Sequence, residues 1–286
     1  MKPAAFEYVR PETLSEAVAA LDHDDARIIA GGQSLLPMMN FRLVQPKRLV
    51  DINRIAGLGR IEKTERGIRL GALTRHAEAA RSELLAENVP IVAEAMAHVA
   101  HVAIRNRGTV AGSLCHADPS AEWPLLVTLL DGEIEILGGD GRRTATPAEF
   151  FLAPLVTDME ETELVTGIHL PPHETPCGMA FDEVAQRAGD FAVVAAGALV
   201  RVEDGRFAEV RLGLGGVSDT SVRAAALEDA LTGRPATAEA IEASLALTVE
   251  DLEPNDDVHA SAAYRLSLVP VLSRRVLGRA LERATA

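Results

Sequence analysis

The sequence predicts an α+β protein in two lobes, on three observations. The chain has 286 residues, and single hydrophobic cores tend to divide beyond about 250 residues. Short apolar runs that read as strands flank tight turn signals, Gly138-Gly139-Asp140-Gly141 and Asp204-Gly205 among them, and capped helix starts lie between. Pro171-Pro172-His173-Glu174-Thr175-Pro176 is stiff, extended and unable to continue either element. The lobes should divide there, the second being the smaller, with its own sheet and helices.

Thr13-Leu14-Ser15-Glu16 is a capping box that opens a helix ending near Asp22. Arg27 to Ala30 reads as a strand, and Leu35, Leu36, Met38 and Met39 follow at the spacing of a buried helix. Leu49 to Ile52 predicts another strand, and Ile61-Glu62 with Ile68 to Leu70 a hairpin around Lys63 to Gly67. Thr74 should cap a helix through Leu85. Pro90 should begin a second, with Ile91, Ala95, Met96, Val99 and Val102 on one face. Pro119 suits the first turn of a helix running to about Leu130, where its missing N–H costs nothing. Glu133 to Leu137 and Arg142 to Ala145 flank the Gly138–Gly141 turn; Thr146-Pro147-Ala148-Glu149 is a further capping box, and Glu163 to Leu170 a strand. In the second lobe, Gly197 to Val202 should pair with Phe207 to Leu214. Ser221 to Leu231, Thr237 to Glu250 and Ala262 to Arg283 read as helical.

Composition narrows the function. A formal net charge of -14 argues against a nucleic-acid partner, which needs a basic footprint, and otherwise keeps the protein dispersed. The 2 cysteines, Cys115 and Cys177, cannot build a zinc site or an iron–sulfur cluster, each of which typically takes four thiolate or imidazole ligands. They read as buried thiols, with Cys115 close to a glycine-rich turn, and no metal ligand is expected on this chain. No apolar run approaches the ~20 residues of a bilayer span, and Met1 to Glu7 lacks the apolar region of a secretory signal. The expected compartment is the cytoplasm.

Two glycine-rich turns carry the chemistry: Ala30-Gly31-Gly32-Gln33-Ser34, and Gly108-Thr109-Val110-Ala111-Gly112-Ser113, the latter running on to Asp118-Pro119. Either alone is an ordinary turn into a helix. Each also reads as bare backbone amides facing an anion, glycine allowing close approach, and Ser34 would add a hydroxyl donor. Two such places on one lobe suit a diphosphate. The nicotinamide fingerprint G-x-G-x-x-G is absent, Gly213-Leu214-Gly215-Gly216 failing at the third glycine, and no glycine precedes Lys and then Ser or Thr as in a P-loop. A flavin dinucleotide in a non-Rossmann fold is the sharper possibility left.

Those two turns resemble the FAD-binding medium subunit of molybdenum hydroxylases, a family that covers carbon monoxide dehydrogenases, xanthine-dehydrogenase-like enzymes and hydroxylases of N-heteroaromatic compounds. The likeness includes Leu70-Gly71-Ala72-Leu73-Thr74-Arg75-His76, Gln186-Arg187-Ala188-Gly189-Asp190-Phe191-Ala192 and Tyr264-Arg265. It implies a two-part FAD-binding domain of the PCMH (vanillyl-alcohol-oxidase-like) type over residues 1–173, with parts of about 1–55 and 56–173. A three-layer α+β domain of the carbon monoxide dehydrogenase flavoprotein type would follow over 177–286. By the same resemblance Ala30, Gly31, Gly32, Gln33, Ser34 and Leu35 would hold the diphosphate together with Gly108, Thr109, Ala111, Gly112 and Ser113. Asp118 would bind a ribose or adenine-side hydroxyl, Thr74 and His76 would lie near the cofactor, and Arg187, Asp190 and Phe191 would approach the isoalloxazine.

The family usually has glycine where this chain has Ala111. Either that amide is not in a strained turn or the diphosphate contact is altered. His98, His101, Glu122 and Trp123 read as packing, surface or capping residues. The implied role is electron transfer, without a catalytic side chain, from the clusters of a small iron–sulfur subunit through FAD to an external acceptor. A large molybdopterin subunit would complete the enzyme, two heterotrimers pairing. The stretch His98-Val99-Ala100-His101 before Ile104-Arg105-Asn106-Arg107 looks more like the N-heteroaromatic hydroxylases. The alternatives are a carbon monoxide dehydrogenase medium subunit, a stand-alone NAD(P)H-dependent flavin reductase and a flavin-free assembly module.

Overall fold

A computed structural model describes residues 2–286 of the protein. The chain opens with β1 (Glu7–Val9), α1 (Leu14–Leu21), β2 (Ala26–Ile29), α2 (Leu35–Asn40) and β3 (Arg48–Asp51). The strands lie parallel in the order β1-β3-β2. The predicted capping box closes α1: Glu16 N–H donates to Thr13 Oγ1, and the Glu16 carboxylate accepts from Thr13 N–H. Ala17 and Leu21 of α1 then pack with Val50 and Ile52 in a small core of their own.

There follow β4 (Ile61–Thr64), β5 (Gly67–Gly71), α3 (His76–Ala79), α4 (Glu83–Asn88), α5 (Ile91–His98), α6 (Val102–Arg105), α7 (Val110–His116) and α8 (Glu122–Leu129). Next come β6 (Glu133–Gly138), β7 (Gly141–Ala145), α9 (Pro147–Phe150), β8 (Phe151–Ala153), β9 (Val156–Thr157) and β10 (Leu164–Leu170). An antiparallel sheet runs β4-β5-β10-β6-β7. Its central strand β10 is buried along its whole length. Residues 171–176 form neither helix nor strand.

The remainder comprises β11 (Cys177–Ala185), β12 (Ala192–Glu203), β13 (Arg206–Gly215), β14 (Val222–Arg223), α10 (Ala225–Leu231), α11 (Ala238–Ser244) and α12 (Ala262–Thr285). The four strands form an antiparallel sheet in sequence order. Helix α12 covers one face; α5 and α8, from the earlier part of the chain, pack against the other. The alternation along β12 divides accordingly. Ala195 and Leu199 join the core of α5 and α8, while Val194, Ala196, Ala198 and Val200 face α12. Gly197 and Gly213 let α8 come close: a Cβ at Gly197 would stand 3.0 Å from the Leu125 and Leu129 methyls.

The structure departs from several sequence expectations. Thr74 caps nothing; its N–H is tied to Gly71 and its carbonyl accepts from Val110 N–H, so α3 starts only after Arg75, and Ser82 caps a separate α4. Helix α5 ends at His98 and Ala100 takes φ +39°, which leaves Val102 exposed on its own short turn. Pro119 lies outside α8. The Asp118 carboxylate accepts from Ser120 N–H and makes a turn there, and Ala121 is the cap. In α2 only Met39 is fully buried, Leu36 being exposed. A strand, β14, precedes α10, and α11 gives way to a 3-10 turn over Leu245–Val249. Strand β11 carries no clear strand signal in the sequence, because Asp182 and Glu183 interrupt its apolar run.

Candidate cofactor cleft

A cleft of about 550 Å³ opens where the β2–α2 turn, the start of α7, His76 and the Gly189–Phe191 tip between β11 and β12 converge. Its volume falls in the ~300–1,000 Å³ range of small-molecule and cofactor sites.

The two glycine turns prove unequal. In the first, the amides of Gly31, Gly32, Gln33, Ser34 and Leu35 donate to no acceptor of the chain among the described residues. Gly32 at φ +72° turns the backbone through the left-handed region, as successive inward-facing amides require. Gln33 Nε2 donates to Gly31 O at 3.0 Å, which occupies one of the turn's carbonyls. Ser34 precedes α2 without making a cap bond, so its hydroxyl is uncommitted.

The second turn spends its amides on acceptors within the protein. Gly108 N–H donates to Ile104 O, Val110 to Thr74 O, Ala111 to Ala72 O and Ser113 to Thr109 O, while Gly112 N–H donates to Thr109 Oγ1 at 3.1 Å. Of that stretch only Thr109 keeps an unpartnered N–H among the described residues. The reason is that Thr109 caps α7 and bridges to Arg75, so the loop belongs to secondary structure. The expectation of two matching sets of bare amides is corrected to one set and a single added N–H. Ala111 sits inside α7, outside the left-handed region, and so not in a strained turn.

Close approach explains the glycines that meet here. A Cβ on Gly31 would lie 2.3 Å from Arg107 O, and one on Gly108 2.7 Å from His76 Cδ2. The two turns are thus pressed together with no room for a methyl group.

Of the other residues singled out in the sequence, Leu35, His76, Ser113, Asp190 and Phe191 line the cleft. Thr74, Asp118 and Arg187 do not. Thr74 is fully buried with an unpartnered hydroxyl, Asp118 is occupied by Ser120 N–H, and Arg187 is exposed on the turn that carries Asp190 and Phe191. That turn reaches the cleft because Gly189, at φ +87°, packs on the Ala100 backbone.

Two residues assigned to packing do more. The Trp123 indole N–H donates to His76 Nδ1 at 3.0 Å, so the buried imidazole carries its proton on Nε2. Burial, with Arg105 and Arg75 nearby, lowers the His76 pKa to about 4 and keeps the ring neutral. Glu122 lines the cleft at 6% exposure; burial, reinforced by the Glu183 charge, pushes its pKa up to about 8, so it is mostly protonated at neutral pH. Glu183 Oε1 lies 3.4 Å from His98 Nδ1 and raises that imidazole's pKa. The only sequence signal for Glu122 was a carboxylate at the start of an otherwise apolar helix.

Known proteins match this architecture along its whole length. Residues 4–173 match the family described as the FAD binding domain in molybdopterin dehydrogenase, and residues 179–280 the CO dehydrogenase flavoprotein C-terminal domain. Subunit alpha of the 6-hydroxypseudooxynicotine dehydrogenase complex of Paenarthrobacter nicotinovorans is 39% identical over 287 residues, spanning 99% of this chain and 97% of that protein. The crystal structure of quinoline 2-oxidoreductase from Pseudomonas putida 86 contains a chain that superimposes with a TM-score of 0.95 at 38% identity, covering 100% of both. A chain of carbon monoxide dehydrogenase from Hydrogenophaga pseudoflava gives 0.95 at 34% identity, covering 99% of each.

Fold and cleft therefore define a flavoprotein with a PCMH-type FAD-binding domain followed by the C-terminal domain of carbon monoxide dehydrogenase flavoproteins. The chain belongs to the FAD-binding medium subunits of the molybdenum hydroxylases, and its part in such an oxidoreductase is electron transfer.

Proposed function

We propose that the cleft holds FAD with its diphosphate on the first glycine turn. The observation that carries this is the run of amides from Gly31 to Leu35 with no acceptor among the described residues. Groups that must find acceptors somewhere fit a bridging diphosphate, and Ser34 Oγ and the Thr109 N–H extend the same donor set. Ala30 follows β2, the strand that presents the turn, and Gly108, Ala111, Gly112 and Ser113 form the wall behind it. His76 Nε2–H and the protonated Glu122 are further donors along the cleft, and Asp190 and Phe191 border it from the second lobe. Thr74, Asp118 and Arg187 act from outside the lining, by holding α7, the α7–α8 turn and the Gly189 tip. The cofactor domain then runs over 1–173 and the second over 177–286, either side of the proline-rich connection.

When bound, FAD supplies the exchange between single-electron and two-electron carriers; the chain contributes position and polarity. An iron–sulfur subunit delivers the electrons, a molybdopterin subunit is their origin, and an external acceptor receives them, in a cytoplasmic dimer of heterotrimers. The substrate class we favour is N-heteroaromatic, since the relatives named for a nicotine derivative and for quinoline are more similar to this chain than the carbon monoxide dehydrogenase chain.

Purified full-length protein should be yellow, with a flavin absorption spectrum and released FAD. The complex assembled without this chain should reduce artificial dyes but not its physiological acceptor. A colourless chain that binds no added FAD overturns the reading, and steady NADH oxidation by the chain alone would make it a flavin reductase instead.

A further inference from the structure

We infer that Asn53 and Arg75 form a clamp that locks the two glycine turns together and aims the first at its anion; this rests on the FAD reading above. The connection is continuous. Asp51, the last residue of β3, accepts from Asn53 N–H at 2.9 Å and from Asn53 Nδ2 at 2.6 Å through one carboxylate oxygen. Its other oxygen accepts from the Tyr8 hydroxyl. Asn53 Nδ2 also donates to Ala30 O at 2.8 Å, and Asn53 Oδ1 accepts from Arg75 at 2.6 Å. A second nitrogen of the same guanidinium donates to Arg107 O.

Each bond has a directional consequence. In a trans peptide the C=O and the following N–H point opposite ways, so holding Ala30 O at Asn53 fixes the Gly31 N–H to point away from Asn53. Arg107 O, held by Arg75, is the atom that faces Gly31 at a separation no side chain could share. The clamp keeps both carbonyls occupied at the seam, leaving amide hydrogens as the groups the first turn has to offer. It also joins two parts of the chain, since Asp51 ends β3 of the parallel sheet and Asn53 follows it, whereas Arg75 and Arg107 belong to the segment between β5 and α7. An asparagine is required at 53, because one side chain must donate to a carbonyl and accept from a guanidinium. An arginine is required at 75, because its planar fork serves two acceptors at once. Asn53 and Arg75 are positioning residues that act on the cofactor through the turn.

The test is FAD binding by the deflavinated full-length chain carrying Asn53→Ala, Arg75→Gln, Arg75→Lys or the double Asn53→Ala/Arg75→Gln. Arg274→Gln, which removes a surface ion pair to Glu242 on the far lobe, is the control. Each clamp variant should raise the FAD dissociation constant at least tenfold. The double variant should lose less than the product of the single losses, because the two residues act through one connection. The two phosphorus-31 resonances of bound FAD should move in the clamp variants and hold still in the control, a response that general destabilisation would not produce. Arg75→Lys keeps the charge but reaches one acceptor, so wild-type affinity in that variant overturns the clamp. Unshifted phosphorus resonances in Asn53→Ala overturn it equally. A wild-type chain that binds no FAD defeats the cofactor reading itself, a separate outcome.

Discussion

Replacing Gly31 by alanine tests the cleft with a single methyl group. The added Cβ would stand 2.3 Å from Arg107 O and 2.9 Å from Gly108 Cα. Carbon–oxygen contacts settle at about 3.3 Å, so the turns must separate by roughly 1 Å. Both obstructing atoms are backbone, which has no rotamer to yield. Overpacking of this kind costs about 1–3 kcal/mol, well inside a total stability of about 5–15 kcal/mol, so the protein should remain folded. Without FAD the turns can relax apart. Binding must bring the amides back, and the strain then appears in the affinity as a roughly 5- to 150-fold weaker dissociation constant. The assay is fluorescence titration of FAD into deflavinated Gly31→Ala and wild-type chains, with a thermal melt of each. Gly139→Ala is the matched control, since its Cβ meets nothing within 4 Å. Wild-type FAD affinity in Gly31→Ala would refute the claim that the two turns must touch for the cofactor to bind.

Four further outcomes are expected. Glu122 has a folded pKa of about 8 against 4.5 in the unfolded chain, so the folded state holds the extra proton between those values and stability falls as pH rises through that window; melts of the FAD-free chain should show this slope flattened by Glu122→Gln. His76 works in the opposite sense, its folded value of about 4 lying below 6.5, so its contribution is lost as pH falls from 6.5 towards 4. Trp123→Phe should remove the donor that fixes His76, and nitrogen-15 spectra of the imidazole should change from one Nε2–H tautomer to a mixture. Arg265→Met should destabilise the second lobe by about 3 kcal/mol in urea unfolding, since that buried guanidinium serves Val193 O, Gly216 O and the Asp257 carboxylate together.

Local signals survived into the structure where the interaction they encode is local. The Thr13 and Thr146 capping boxes formed because both partners lie within four residues. The Gly138–Gly141 and Asp204-Gly205 hairpins formed because the turn residues set the register of the strands. Thr74 misled for the converse reason. It has the chemistry of a cap, but its backbone was claimed by Gly71 and by Val110 from far along the chain. Trp123 and His76 are 47 positions apart, and nothing near either announces their hydrogen bond.

The candidate site divides along the same line. Glycine content and the flanking apolar residues were enough to mark both turns, to reject the commoner phosphate motifs and to carry the family resemblance. Which amides remain free was not written locally, since it depends on carbonyls of Ala72, Thr74 and Ile104 accepting from the second turn while, among the described residues, none accepts from the amides of the first. Hydrogen-bond donors are properties of residues, but their availability belongs to the assembled chain. For that reason composition and pattern, joined to the family resemblance, reached as far as a two-lobed flavoprotein, and only packing determined that one turn offers its amides while the other serves as the wall that holds it.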